Sequence, residues 1–183
     1  GLSLDGLKNS HPIEQEVKDP AEIGQLFDAI SYSKGGSILR MLEHYLGADI
    51  FREGLRRYIA RHQYGNAETR DLWAALGEAS GQPVAEMMNT WVQQTGYPVL
   101  DVATKRAGDG IEISASQHRF LYEHLVEPES ADDTLWRVPL SVTSPDGGES
   151  APVLMDGREA MVPIAMREGG SAEDWIKVNP QQI

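Results

Sequence analysis

At 183 residues, with 24% charged and 40% hydrophobic side chains, the chain is long enough for a real core and has the balance of a folded soluble protein rather than a disordered one. A net charge of -12 repels phosphate backbones and argues against a nucleic-acid partner. With no cysteine there is no disulfide framework or thiolate metal site, and no run of 18 apolar residues offers a membrane span.

The charge is uneven. Residues 1–97 carry 9 Lys/Arg and 13 Asp/Glu, net -4, and residues 98–183 carry 7 and 15, net -8. The bland reading of this acidity is solubility; the functional one is attraction of cationic peptide amines. GLSLDGLKNSHP shows no basic region followed by an apolar one, so no signal peptide reads out of this piece. A reducing, cytoplasmic setting is the expectation from cysteine usage.

In chain order, the segment up to Lys18 is expected to be irregular, with His11-Pro12 biased toward extended backbone. Asp19 then serves as an N-cap, with Pro20 at the first helical position, where its missing N–H costs nothing. A short helix over Ala21–Asp28 follows, with Ile23, Leu26 and Phe27 on one side. The stretch Phe27–Leu46, FDAISYSKGGSILRMLEHYL, places Ile38, Met41, Leu42, Tyr45 and Leu46 at steps of three and four, one helix face. Gly35 and Gly36 weaken that helix by about 1 kcal/mol each relative to alanine, which suggests a close approach to the backbone. Gly47 ends it.

A third helix is expected from Asp49 to His62, with Ile50, Leu55, Tyr58 and Ile59 inward and Arg56, Arg57 and Arg61 solvated near its end. Gly65-Asn66 marks a loop. A fourth helix opens at Glu68 or Thr69 and buries Leu72, Trp73 and Leu76. A fifth begins at Gln82-Pro83 and carries Val84, Met87, Met88, Trp91 and Val92 inward. These helices read as antiparallel pairs joined by short loops.

Composition shifts at Gly96. Beyond it lie candidate strands at Val99–Thr104, Ile111–Ser116, Trp136–Thr143, Ala151–Met155, Ala160–Ile164 and Trp175–Val178. Turn chemistry separates them at Gly108-Asp109-Gly110, Pro145–Gly148, Asp156-Gly157 and Gly169-Gly170. The fold class predicted is α+β in two parts: a helical domain over 1–97 and a small antiparallel β-sandwich over 98–183.

Periodicity alone makes Tyr32 a core aromatic and gives no function. The order of motifs says more. SHPI at Ser10–Ile13, DPAEI, FDAISYSKGGSILRML, DLW at Asp71–Trp73 and W-x-x-Q-x-GYPV at Trp91–Val99 follow one another. QHRFL at Gln117–Leu121, WRVPL at Trp136–Leu140 and WIKVN at Trp175–Asn179 continue more thinly. This series resembles the zinc aminopeptidases of the aminopeptidase N type, a gluzincin family, densely over Leu7–Val99. The resemblance implies that residues 1–97 are the helical C-terminal half of a thermolysin-like catalytic domain. It implies peptide substrates and removal of N-terminal amino acids from them. Tyr32, in the SY-x-KG motif, would donate a hydrogen bond to the tetrahedral intermediate and is the one catalytic residue assigned; Ser33 and Lys34 would orient the helix. The family's strand after WIKVN is expected to be missing from the β domain.

The family's zinc site, H-E-x-x-H plus a later glutamate, is not here: none of His11, His44, His62, His118 or His124 begins that motif. The resemblance places those ligands before SHPI, so zinc is expected in a full-length parent and none on this piece, whose partner would be the rest of the same polypeptide. No substrate-binding residue is assigned. His118, Glu123 and His124 form the one local metal-like cluster, but a six-residue His–His step fits no usual zinc spacing, and a polar loop after a strand is the reading preferred. A Tyr-x-Lys dehydrogenase site at Lys34 is rejected for want of a GxGxxG fingerprint. No nucleophile elbow supports another hydrolase class. The rival function class is a free-standing, noncatalytic interaction module with the same fold.

Overall fold

A computed structural model describes residues 2–17, 19–107, 110–125, 132–143, 150–165 and 175–180. The chain divides into two compact units, one made of Gly1–Asp5 with Asn9–Thr95 and the other of Gly6–Lys8 with Gly96–Ile183.

The first unit is helical. One turn, α1 (Leu2–Asp5), forms where the sequence pattern predicts irregular backbone. Asp19 caps a 3-10 helix over Pro20–Leu26 by accepting the Ala21 N–H at 2.9 Å. That helix is tighter and shorter than the α-helix expected over Ala21–Asp28. At three residues per turn it carries a narrow line of side chains rather than a broad stripe, and Ile23 and Phe27 stay exposed. A π turn, Ile30–Lys34, then runs directly into α2 (Gly35–Leu46). Ile38, Met41, Leu42 and Leu46 are buried along α2 as the periodicity predicts. Gly47 follows at φ +83, and its N–H bonds the Glu43 carbonyl at 2.9 Å.

Helix α3 (Ala48–His62) departs from expectation, because its large apolar residues do not form the buried face. Ile59 is 63% exposed and Ile50 is also exposed, whereas Gly54 is buried. The reason is how α3 meets α4 (Thr69–Ser80). A Cβ on Gly54 would stand 2.6 Å from the Leu76 Cδ2 and 3.0 Å from its Cα, so a side chain there would force the leucine or its backbone to shift. The two helices thus touch through a missing side chain, and the isoleucines of α3 are left outside that contact. Arg61 forms a two-pronged pair with Glu78 of α4 at 2.9 and 2.6 Å, and Arg57 pairs with Glu53 at 2.9 Å.

At the start of α4 the Asp71 carboxylate accepts the Glu68 N–H at 2.8 Å, and the helix buries Trp73, Ala75 and Leu76. Helix α5 (Val84–Val92) buries Val84, Met87, Met88, Trp91 and Val92, all five of the predicted residues.

The second unit holds small antiparallel sheets, so the chain is α+β. Strands β1 (Pro98–Ala107), β2 (Gly110–Arg119) and β6 (Glu159–Ala165) form one sheet in the order β1-β2-β6. Pro98 faces Arg119 and Ala107 faces Gly110, which fixes a long hairpin, and Ser116 faces Glu159 on the other side. Strands β3 (Val138–Leu140) and β5 (Val153–Met155) pair, as do β4 (Val142–Thr143) and β7 (Lys177–Val178). The predicted single strand Trp136–Thr143 breaks at Ser141 for a physical reason. There the Asn179 N–H bonds the Ser141 carbonyl at 2.8 Å, and the Asn179 side chain accepts the Ser141 N–H at 3.3 Å, so the chain changes sheets. Asp156-Gly157 is the bend between β5 and β6. The turns predicted at Gly108-Asp109, Pro145–Gly148 and Gly169-Gly170 lie outside the described residues.

Ile113, Ala115, Trp136, Val138, Leu140, Val142, Met155 and Val162 make the core of this unit, and two polar residues, Gln117 and Ser141, are buried with them. Gln117 is 2% exposed and satisfied on both ends of its amide. Its nitrogen donates to the Trp136 carbonyl at 2.8 Å and the Gly157 carbonyl at 2.7 Å, while its oxygen accepts the Trp136 N–H at 2.9 Å. One side chain on β2 thereby ties the approach to β3 and the β5–β6 bend. Gln117→Met keeps the volume but removes three bonds. A loss of about 1–3 kcal/mol is expected, read as a lower denaturant midpoint for the β unit's transition. An unchanged midpoint would make the amide dispensable.

Candidate functional site

Tyr32 sits in the middle of the π turn. It is 67% exposed, and its hydroxyl makes no hydrogen bond among the described residues. Its ring lies 6.3 Å from that of Phe27, also exposed. A tyrosine with an open hydroxyl is not the core aromatic that periodicity alone suggests. The π turn carrying it holds one residue more per hydrogen-bonded ring than an α turn, a rare geometry that occurs mostly as single turns and frequently at functional sites.

Both ends of the turn are anchored by polar groups. At its start, Asp28 Oδ1 accepts the Ser31 N–H at 2.8 Å, and the Asp28 carbonyl accepts the Tyr32 N–H at 3.1 Å. The Ser31 hydroxyl donates to the Leu26 carbonyl at 2.5 Å. At its end, Lys34 reaches into the unit. Its ammonium lies 3.0 Å from Asp5 Oδ2 and donates to the Gln94 carbonyl at 3.3 Å. The two side chains are 9% and 3% exposed, a buried ion pair, and the Ser10 hydroxyl donates to Asp5 Oδ1 at 3.1 Å. The π turn is thus joined to α1 and to the chain just past α5.

His11 of the SHPI motif lies against the same carboxylate: its Nε2 is 2.6 Å from Asp28 Oδ2, and its Nδ1 is 2.9 Å from the Pro12 carbonyl. These oxygens favour a doubly protonated ring. The Pro12 carbonyl is the largest influence raising the His11 pKa above the ordinary imidazole value; partial burial opposes it, and Asp28 adds to it. The Asp28 pKa is lowered, first by the Ser31 N–H and, against burial, by His11. Sequence reasoning used SHPI only as a family marker and missed His11, Asp28 and Asp5. One local signal was available: Asp28 stands three residues before Ser31, the spacing of an N-cap.

Other sequence candidates fall elsewhere. Nothing lies within 4 Å of where a Cβ would sit on Gly35 or Gly36, so the close approach expected there is not met among the described residues. His118 is not in a loop: β2 extends past the predicted Ser116 and carries it opposite Val99, with Nδ1 3.2 Å from Asp101 Oδ2. Glu123 pairs with Lys8 at 3.4 Å, and the side chain of His124 lies outside the described residues. Among the described residues no group of three or more His, Cys, Asp or Glu could hold a metal ion. No helix among them is long and apolar enough to cross a membrane.

Comparison with known proteins agrees with the motif series. The family described as "Peptidase family M1 domain" matches residues 1–91. The puromycin-sensitive aminopeptidase of Caenorhabditis elegans is 40% identical over 181 residues, covering 98% of this chain and 18% of its own length. Aminopeptidase M1 of Arabidopsis thaliana is 41% identical over 192 residues, 100% of this chain and 21% of its own length. The tricorn protease-interacting factor F2 of Thermoplasma acidophilum is 41% identical over 178 residues, 97% and 20% respectively. The chain therefore spans about a fifth of the length of the curated relatives it matches. Aligned almost end to end with three such relatives, and matched by the family description across its helical unit, the chain belongs to the peptidase M1 family.

Proposed function

We propose that this chain is part of a zinc-dependent aminopeptidase that removes N-terminal residues from peptides, and that Tyr32 is its catalytic contribution. The reading assigns 1–97 to the catalytic domain and 98–183 to the β-sandwich domain that follows it in sequence. The observation that carries it is Tyr32 itself, an exposed hydroxyl on a turn fixed at both ends by Asp28 and by the Lys34–Asp5 pair. A neutral donor held in place before reaction stabilises charge as it develops, with little reorganisation when the carbonyl oxygen becomes an oxyanion. The relatives that align with the chain include aminopeptidases, which supports the activity class. The chain's own described residues do not fit a zinc ion, so the metal belongs, in this reading, to the remainder of the polypeptide.

Assays on two preparations test the reading. The complete polypeptide carrying this chain is expected to release aminoacyl groups from arylamide substrates and to lose that activity to a chelator. The 183-residue chain alone is expected to show no release and no zinc bound one to one with sub-micromolar affinity. Tight stoichiometric zinc on the isolated chain would overturn the assignment of the metal. Inactivity of the complete, metal-loaded polypeptide would leave the interaction-module reading standing.

A further inference from the structure

We infer that His11 is a positioning residue for Tyr32, acting through the Asp28 carboxylate, and that it does so best as the imidazolium cation. The inference rests on the catalytic reading of Tyr32 given above.

Asp28 has two oxygens with two tasks. Oδ1 holds the Ser31 N–H, and Oδ2 meets His11 Nε2 at 2.6 Å, while the backbone carbonyl of the same residue takes the Tyr32 N–H. A carboxylate tied at one oxygen still rotates about its Cβ–Cγ bond. Tied at both, it is locked, and so is the first turn that hangs on it. His11 supplies the second tie from a segment distant in sequence, so the orientation of the tyrosine depends on SHPI as well as on its own helix.

Both ring nitrogens face oxygen acceptors, Pro12 O and Asp28 Oδ2, and only the cation can donate to both. Gln15 approaches Nδ1 with its amide at 2.9 Å, and turning the amide over presents its oxygen to a protonated ring. Among the described residues, the carboxylates whose charge acts on the ring are Asp28, in direct contact with it, and, more weakly, Asp5 of α1, which is itself paired with Lys34. Both carboxylates favour the cation. Loss of the proton leaves at best one neutral donor toward Asp28, and a charge-assisted bond is roughly twice as strong as a neutral one. Because the folded value is raised, the contribution is complete below the ordinary imidazole value and fades as pH rises through the raised one.

The test is a double-mutant cycle in the complete, zinc-loaded polypeptide, with metal content matched. His11→Phe keeps a planar ring and removes both donors. It is expected to lower kcat about tenfold with KM little changed, since small misplacements of a reacting group are costly. In a Tyr32→Phe background the same change should cost less than about twofold, because no hydroxyl remains to be positioned. His11→Gln, which keeps one donor and does not titrate, should recover part of the loss. The ratio of parent to Tyr32→Phe kcat should shrink a few-fold between about pH 5.5 and about pH 9, and with His11→Gln it should stay flat. Full additivity of the two substitutions, or a parent ratio constant with pH, overturns the inference while leaving Tyr32 in the mechanism. A Tyr32→Phe variant with near-normal kcat overturns both. Should His11→Phe fail to fold, the pH dependence of the parent ratio decides by itself, since it needs no change at His11.

Discussion

Tyr32→Phe in the complete polypeptide is expected to lower kcat by about 10²–10³, or about 2.7–4 kcal/mol of transition-state stabilisation, with KM changed far less. The asymmetry follows from when the hydrogen bond forms. A ground-state carbonyl accepts weakly, whereas the oxyanion of the tetrahedral intermediate accepts strongly, so the hydroxyl is felt in the transition state and hardly in the Michaelis complex. Packing should survive, because the ring remains and the side chain is mostly exposed. Steady-state kinetics on the purified, zinc-loaded variant, beside its thermal unfolding curve, separates the roles. A kcat within a few-fold of the parent would remove Tyr32 from the mechanism. A lowered unfolding temperature with normal kcat would return it to a structural residue.

Lys34→Met is expected to destabilise the helical unit by about 3–5 kcal/mol, the usual cost of removing one partner from a buried ion pair. Most of that is not the value of the attraction. Asp5 is 3% exposed, and without the ammonium its charge sits in a poorly solvating place, close to where Lys34 Nζ lay at 3.0 Å. For a chain of this size a loss of that order lowers the unfolding midpoint by roughly 10 °C, read as helical circular dichroism. The companion variant Lys34→Met with Asp5→Leu removes both charges and should regain most of the loss, since apolar replacement of a whole buried pair is often neutral. If the single change costs under about 1 kcal/mol, the pair behaves as a surface contact, and the anchor at the end of the π turn is not structural.

Periodicity was a good guide wherever a helix meets the core through its large side chains. The five buried residues of α5 and the stripe of α2 were readable for that reason. It failed on α3, because a repeat of apolar residues says which face could be buried and not what lies opposite. There the neighbour is reached through Gly54, and Ile50 and Ile59 remain exposed. Strand positions were legible from alternation and turn residues. The change of sheet at Ser141 was not, since its cause is Asn179, far along the chain. Polar structure was least legible. Gln117, the Asp5–Lys34 pair and the His11–Asp28 contact each join residues well separated in sequence, and no local pattern announces such a partner. Tyr32 itself was singled out by its motif company, which no argument from spacing could supply.

The tripeptide Gly6–Lys8 clusters with the β unit, although more than a hundred residues separate it from the partners it meets there. The Gly6 carbonyl accepts the Tyr122 N–H at 3.1 Å, and a Cβ on Gly6 would stand 2.9 Å from the Phe120 ring. During synthesis Gly6 leaves the ribosome long before Tyr122 does. At about 5–20 residues per second, the tripeptide waits on the order of 6–25 s for its acceptor's partner to appear. The helical unit has all its residues by Thr95, so its own long contacts, such as Lys34 to the Gln94 carbonyl, close sooner. Maturation of this stretch is therefore staggered: the helices have all their residues first, and Gly6–Lys8 is engaged only once Tyr122, in the 3-10 turn after β2, has been made. A gene fragment starting at Gly96 would encode the sheets but omit the piece that Tyr122 bonds.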